Sequence, residues 1–276
     1  MLQNSFQHIP GIGEKTELDL WNAGLTHWQQ VAGFLSLPPR KLETIARHIR
    51  ESQRQLEAGN PGYFSDLLPP NSHWRLFPEF RNATAYLDIE TTGLEMDNAE
   101  ITTIALYDGK EIRHYVQGRN LDAFTRDIKA YSQVITYNGK TFDVPFIEGY
   151  FNIKMNHAHI DLRYVLKSLG YGGGLKRCEK ALGIQRGDLD GVDGFFAVLL
   201  WQDYQRNGNE KALETLLAYN IEDVVNLETL MIMAYNMKIQ QTPFAESHQL
   251  PLPRMPEIPF TPDFPTISRI KREIYF

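Results

Sequence analysis

Only one cysteine, Cys178, occurs in 276 residues. A lone thiol excludes an internal disulfide and a multi-cysteine zinc site, which favours a reducing, cytoplasmic setting. Long apolar runs are missing too. No stretch approaches the ~18–20 residues of a membrane-spanning helix, so no membrane partner is expected. The opening MLQNSFQHIPG has no basic segment followed by an apolar one, so no secretory signal is expected. Positive charge is not in excess: 28 Lys and Arg stand against 34 Asp and Glu, a net charge of −6. Taken globally, that balance argues against a nucleic-acid binder, yet a metal-dependent nuclease must spend acids on ligands and local basic patches can still hold phosphates. There is no extended repeat, and no polymerase, helicase or ATP-binding motif.

The composition that remains, 42% hydrophobic and 22% charged, is ordinary for a globular protein. The length allows one or two domains with a sizeable core. Three parts are visible. Residues 1–80 read as helical with turn-rich joints, including RKLETIARHIRESQRQLEAGN, where Leu42, Ile45, Ala46, Ile49 and Leu56 recur at helical spacing. Residues 81–240 change character. TAYLDIE and ITTIALYDGKEIRHYVQG read as three strands with a hairpin turn at Asp108-Gly109. LDAFTRDIKAYS reads as a helix, QVITYNG as a fourth strand, and helical patterns follow, ending in the long EKALETLLAYNIEDVVNLETLMIMAYNMK. The expected class is α/β, a mixed sheet flanked by helices. Residues 241–276 hold seven of the fifteen prolines, a tail expected to form neither a regular helix nor a central strand. It would lie extended over the body or stay disordered, and its amphipathic end, ISRIKREIYF, could dock or bind a partner.

AYLDIETTGL, residues 85–94, poses the chemical question. Asp88 and Glu90 lie two apart on a strand, so both point to one face. Like charges that close repel, and each would be protonated without a counter-charge. A divalent cation is one solution, and an all-oxygen set suits Mg²⁺ or Mn²⁺; an ordinary exposed strand end is the other. Gly93 is expected to let the chain turn beside the site. Two further segments strengthen the metal reading. Asp143 in YNGKTFDVPF falls near the start of a helix, where negative charge is favoured. Tyr219 and Asp223 in AYNIEDVVN lie four apart and share a helix face.

DIETTGL, YNGKTFDVPF and Tyr-x-x-x-Asp, in that order, resemble the three motifs of the RNase H-like DEDD superfamily, the DnaQ-like 3′–5′ exonucleases. The resemblance covers roughly residues 83–235. HIDLRYVLKSLG and LKRCEKALGI look most like YprB-type ribonuclease H-like proteins. Many of those carry His-Asn where this chain has Tyr219-Asn220, so the branch stays open. The resemblance implies an RNase H-like fold and two-metal phosphodiester hydrolysis. On this sequence Asp88 would bridge two divalent cations, Mg²⁺ or Mn²⁺. Glu90 and Asp223 would complete the site of the ion that activates water, Asp143 would hold the second, and Tyr219 would orient the water. The implied activity is a metal-dependent 3′–5′ exonuclease, with single-stranded DNA preferred. An exoribonuclease and a noncatalytic nucleic-acid-binding protein are the alternatives.

Candidate contacts to nucleic acid, DNA ahead of RNA, are more dispersed. Asn138 is either a polar contact to substrate or a turn residue. Lys176 and Arg177 belong to a net-basic stretch between Lys154 and Arg186 that could track phosphates. Near the start, HIPGIGEKTELDLWNAGL resembles a helix-hairpin-helix module in which Gly11, Gly13 and Lys15 would meet a phosphate, with Leu18 and Leu20 as packing candidates; its first helix would be short or absent. His157 and His159 read as packing or surface residues, with Asp161 capping the next helix. GDLDGVDG, residues 187–194, echoes a calcium loop, but the twelfth position from Asp188 is Leu199, so an acidic loop is expected instead.

Overall fold

The computed structural model describes residues 1–34, 36–95, 98–186 and 193–275. All but the last two residues of the expected acidic loop lie outside that range. Five strands form one sheet: β1 Thr84–Thr91, β2 Ile101–Tyr107, β3 Ile112–Val116, β4 Gln133–Thr136 and β5 Ala158–Asp161. Their order is β3-β2-β1-β4-β5. The first three are antiparallel neighbours, while β4 runs parallel to β1 and β5 parallel to β4. This is the expected mixed sheet. The Asp108-Gly109 hairpin forms as anticipated: Asp108 Oδ1 accepts from the N–H groups of Lys110 and Glu111, and Gly109 takes the left-handed φ of 87°.

Among the described residues there are eleven α-helices: α1 Glu14–Asn22, α2 Pro39–Glu57, α3 Pro61–Leu67, α4 Phe77–Phe80, α5 Phe124–Asp127, α6 Asp143–Phe151, α7 Leu162–Ser168, α8 Leu175–Ala181, α9 Gly194–Asn207, α10 Glu210–Ile239 and α11 Phe264–Tyr275. The thirty-residue α10 lies across β1 and β2 on one face of the sheet. Alternation along β1 sorts its side chains. Ala85, Leu87 and Ile89 enter a core with Phe124, Ile128 and Ile147 on the far face, while Tyr86 joins the larger core on the α10 side. Asp88 and Glu90, in phase with Tyr86, are thereby aimed at α10.

The segment 1–80 is helical, and its apolar residues belong to the same continuous core as α10: Leu2, Trp28, Trp74 and Phe77 are buried there, and the Trp74 ring meets Tyr235 at 5.5 Å. A 3₁₀ turn, Leu2–Asn4, precedes α1. Leu20 is buried, whereas Leu18 is 46% exposed.

Three local expectations need correction. LDAFTRDIKAYS does not form one helix; α5 spans four residues between 3₁₀ turns, which still bury Leu121, Phe124 and Ile128. β5 was hidden by its brevity and its histidine, although Ala158 and Ile160 are buried. The tail does end in a helix, α11. Pro265, the last proline, sits at its second position, where a missing N–H costs nothing. Before α11 the tail is irregular and follows α10. Asn236 accepts from the Leu250 N–H at 2.9 Å and donates to its carbonyl at 2.8 Å, and Thr215 Oγ1 accepts from Asp263 N at 2.9 Å. Ile267 and Ile270 are buried. No described helix is long and apolar enough to cross a membrane.

Candidate active site

The acids meet between β1, the start of α6 and the middle of α10. One carboxylate oxygen from each of Asp88, Glu90 and Asp223 lies within 4.8 Å of the other two. Asp143 is outside that triplet but adjoins it, its Oδ1 accepting from Ile89 N at 3.2 Å. The β1–β2 register shifts between Glu90 and Thr91, and such an irregularity re-aims a strand end. Gly93 takes no left-handed φ, and among the described residues a Cβ there would meet Ala99 at an ordinary 3.8 Å. Gly139 is needed as glycine: a Cβ there would lie 2.7 Å from Thr136 Cγ2.

Electrostatically the cluster is costly. Burial pushes Asp88 well above the usual carboxylate range, and the charges of Asp143, Asp223 and Glu90 push it further. Glu90 is raised by burial and then by Asp223. Burial lifts Asp143 to about 7 against hydrogen bonds from backbone N–H groups. Asp223 is raised by burial, although Arg186 opposes the rise. Glu222, next to Asp223, is pushed up to about 7 by burial. Asn220 gives Asp88 partial relief: its Nδ2 donates to Asp88 Oδ2 at 2.7 Å while its Oδ1 accepts from Thr103 Oγ1 at 3.0 Å. Among the described residues, Glu179 and Glu222 add to these four acids, while Lys176 and Arg186 are the cations that oppose their charge. The shortfall of positive charge and the all-carboxylate donor set fit hard divalent cations.

Tyr219 shares this face of α10. Its hydroxyl is held well above its ordinary pKa by burial and by the charges of Asp223, Glu90 and Asp88. The Lys176 ammonium lies 4.4 Å from the Tyr219 ring centroid, and Nζ is buried without a hydrogen-bond partner among the described residues. Arg177, one residue on, is exposed. Asn138 adopts a left-handed φ of 70°. Its N–H donates to Asp161 Oδ1 at 2.8 Å, and its side chain accepts from Thr141 Oγ1 at 2.8 Å and from Arg163. Asn138 is therefore a turn residue, and it also lines a groove of about 580 Å³ with Tyr137, Arg163, Lys167 and Gly172–Gly174.

The remaining expectations have mixed outcomes. The basic stretch is not one track. Lys154 pairs with Glu148 at 3.1 Å, and Arg186 is buried against Glu179 and Asp223; Arg163 and Lys167 face the groove. Gly11, at φ 81°, and Gly13 and Lys15 lie at the start of α1, away from the acids. The adjacent Glu14 lines a pocket with Lys238, which is fifteen residues beyond Asp223 on α10, roughly 22 Å along the axis. Asp161 caps α7 through Arg163 N at 3.0 Å, and it also pins the YNGK loop through the N–H groups of Asn138 and Lys140. His157 bonds the Ile128 carbonyl and His159 bonds Thr136. Burial lowers both, His159 to about 3, as packing histidines require. Sequence reasoning missed Arg186, Glu179, Asn220 and Asn226 as site residues. A signal existed in the helix phase of Asn220 and Asn226, but none for the pairing of Arg186.

A family profile described as RNase_H superfamily matches residues 85–235, more than half of the chain. The chain belongs to the RNase H superfamily, and its mixed sheet flanked by helices is that fold. No curated protein matches it. Among solved structures, the family B DNA polymerase from the archaeon Pyrobaculum calidifontis is similar at 13% identity and TM-score 0.37, over 56% of this chain and 29% of the polymerase. The chain thus spans under a third of that protein. Brucella melitensis NrnC with bound Mg²⁺ is similar at 15% identity and TM-score 0.31, over 63% of this chain and 93% of NrnC.

Proposed function

We propose that the protein is a metal-dependent 3′–5′ exonuclease of the DEDD type that hydrolyses phosphodiester bonds, with single-stranded DNA ends preferred. The observation that carries this reading is the convergence of Asp88, Glu90 and Asp223 oxygens within 4.8 Å, with Asp143 hydrogen-bonded to the same strand. Asp88, Glu90, Asp143 and Asp223 would hold two Mg²⁺ or Mn²⁺ ions. When bound, these would neutralise the scissile phosphate and lower the pKa of the attacking water.

The chain's own groups supply the rest. Tyr219 stays protonated at neutral pH because its pKa is raised, so its hydroxyl orients water and does not remove a proton. Asn220 fixes the rotamer of Asp88 through Oδ2. Lys176 brings an ammonium with no hydrogen-bond partner among the described residues beside Tyr219, suited to a substrate phosphate. Asn138, on the groove with Arg163 and Lys167, and the exposed Arg177 would hold the strand upstream. Gly11, Gly13 and Lys15 form a separate contact, about 20 Å away along α10, suited to a more distant phosphate. In this reading residues 81–240 are the nuclease domain, 1–80 an accessory helical domain and 241–276 a strap, in a cytoplasmic protein.

The test is incubation of 3′- and 5′-labelled DNA and RNA with Mg²⁺, Mn²⁺ or EDTA. Cation-dependent shortening from the 3′ end, faster on single-stranded DNA, is expected. Faster cleavage of RNA would transfer the reading to an exoribonuclease. No cleavage of either polymer would leave a binding protein.

A further inference from the structure

Resting on that metal-dependent reading, we propose that Arg186 is a positioning residue that aims Asp223 at the cation, with Glu179 as its anchor. Arg186 is 8% exposed and Glu179 fully buried. Arg186 Nη1 donates to Glu179 Oε2 at 2.7 Å, and Nη2 donates to Asp223 Oδ1. The same Nη2 is 3.4 Å from Glu222 Oε2. Glu179 is held from its other oxygen: Asn226 Nδ2, one turn after Asp223 on α10, donates to Oε1 at 2.8 Å. The guanidinium carbon also lies 5.4 Å from the Tyr219 ring centroid. One planar group thus ties α8 to α10 and touches both functional side chains of the Tyr-x-x-x-Asp turn.

A carboxylate has two oxygens and a freely turning terminal torsion. Committing Oδ1 of Asp223 to a fixed donor leaves Oδ2 available in one orientation, as outer partners of metal-binding carboxylates do. Arginine suits this task because its rigid fork serves two acceptors at a set angle, which a lysine ammonium cannot reproduce. The opposite arrangement would make Arg186 a counter-ion that an arriving cation expels. The anchor argues against it. Expelling Arg186 would strand Glu179 as a buried, uncompensated charge, a strongly unfavourable state.

The experiment is a calorimetric Mn²⁺ titration of the full chain without nucleic acid, with circular dichroism to verify folding. Arg186→Gln should weaken Mn²⁺ binding by about 10–100-fold. Its hydrolysis at limiting Mn²⁺ should fall and recover as Mn²⁺ is raised, a rescue that a merely structural role would not show. Affinity equal to or tighter than wild type would overturn the proposal. If Arg186→Gln does not fold, Arg186→Lys decides: its ammonium reaches one carboxylate at a time, so a smaller loss is expected, and undiminished affinity contradicts the proposal. Failure of the wild type to bind Mn²⁺ would instead overturn the metal reading itself.

Discussion

Two groups of buried carboxylates in this protein are treated in opposite ways. Glu17, fully buried in the N-terminal helical region, is surrounded by donors. Its Oε1 accepts from Ser5 Oγ at 3.0 Å, Phe6 N at 2.7 Å and Arg75 Nη1 at 2.8 Å, and its Oε2 from Gln7 Nε2 at 2.7 Å. Around Asp88 the acids outnumber the cations, and each raises the proton affinity of the next. Burial of an acid is therefore not what marks a functional site here. The mark is a shortage of donors, because a folded chain tolerates that only where something outside it supplies the missing charge.

The contrast can be broken by exchanging charge for amide at each place. The largest effect is expected at the short-handed site. Asp88→Asn or Asp223→Asn should lower cation-dependent hydrolysis by roughly a thousandfold or more, since several kcal/mol of transition-state stabilisation disappear. The melting temperature of Asp88→Asn in EDTA should stay level or rise, because repulsion is relieved. Glu17→Gln should do the reverse. It strands Arg75 and should cost about 3–5 kcal/mol in urea unfolding, with hydrolysis per folded molecule unchanged.

Tyr219→Phe sharpens the division within the site. A loss of about a hundredfold in turnover is expected, with Mn²⁺ affinity by calorimetry unaltered; loss of affinity would contradict the water-orienting role. The pH dependence follows from the raised carboxylates. Their folded-state values exceed the unfolded ones, so the associated stability is present below about pH 4 and is lost as pH rises through about 7, where Asp143 and Glu222 titrate. The gap in melting temperature between Mn²⁺ and EDTA should widen from about pH 5.5 to about pH 8, because cations bind the deprotonated acids. Asp88→Asn should narrow it. The smallest effect concerns Lys15→Ala: if it meets a phosphate, the slope of log affinity against log salt should fall by about 0.7–0.9.

Much of this site was legible in the sequence because its logic is local. Asp88 and Glu90 share a face by strand phase, and Tyr219 and Asp223 by helix phase. The sheet was legible through β4, where alternation and turn residues are clear. What escaped depends on contacts remote in sequence. Arg186 looked like one more surface cation in a basic stretch, and only the packing of α8 against α10 reveals that it serves Glu179 and Asp223. Asp161 looked like a simple cap, yet the parallel pairing of β4 with β5 also puts it under the YNGK loop. The tail's prolines suggested irregularity throughout, but the twelve residues from Phe264 contain one proline, in the first turn.

The central claim is that Asp88, Glu90, Asp143 and Asp223 jointly bind divalent cations. Anomalous diffraction from crystals of the wild-type chain grown with Mn²⁺ tests it most directly. Manganese peaks in contact with Asp88, Glu90 and Asp223, absent from Asp88→Asn crystals, are the predicted result. Manganese bound only elsewhere, or none beside these carboxylates at saturating concentration, would contradict it.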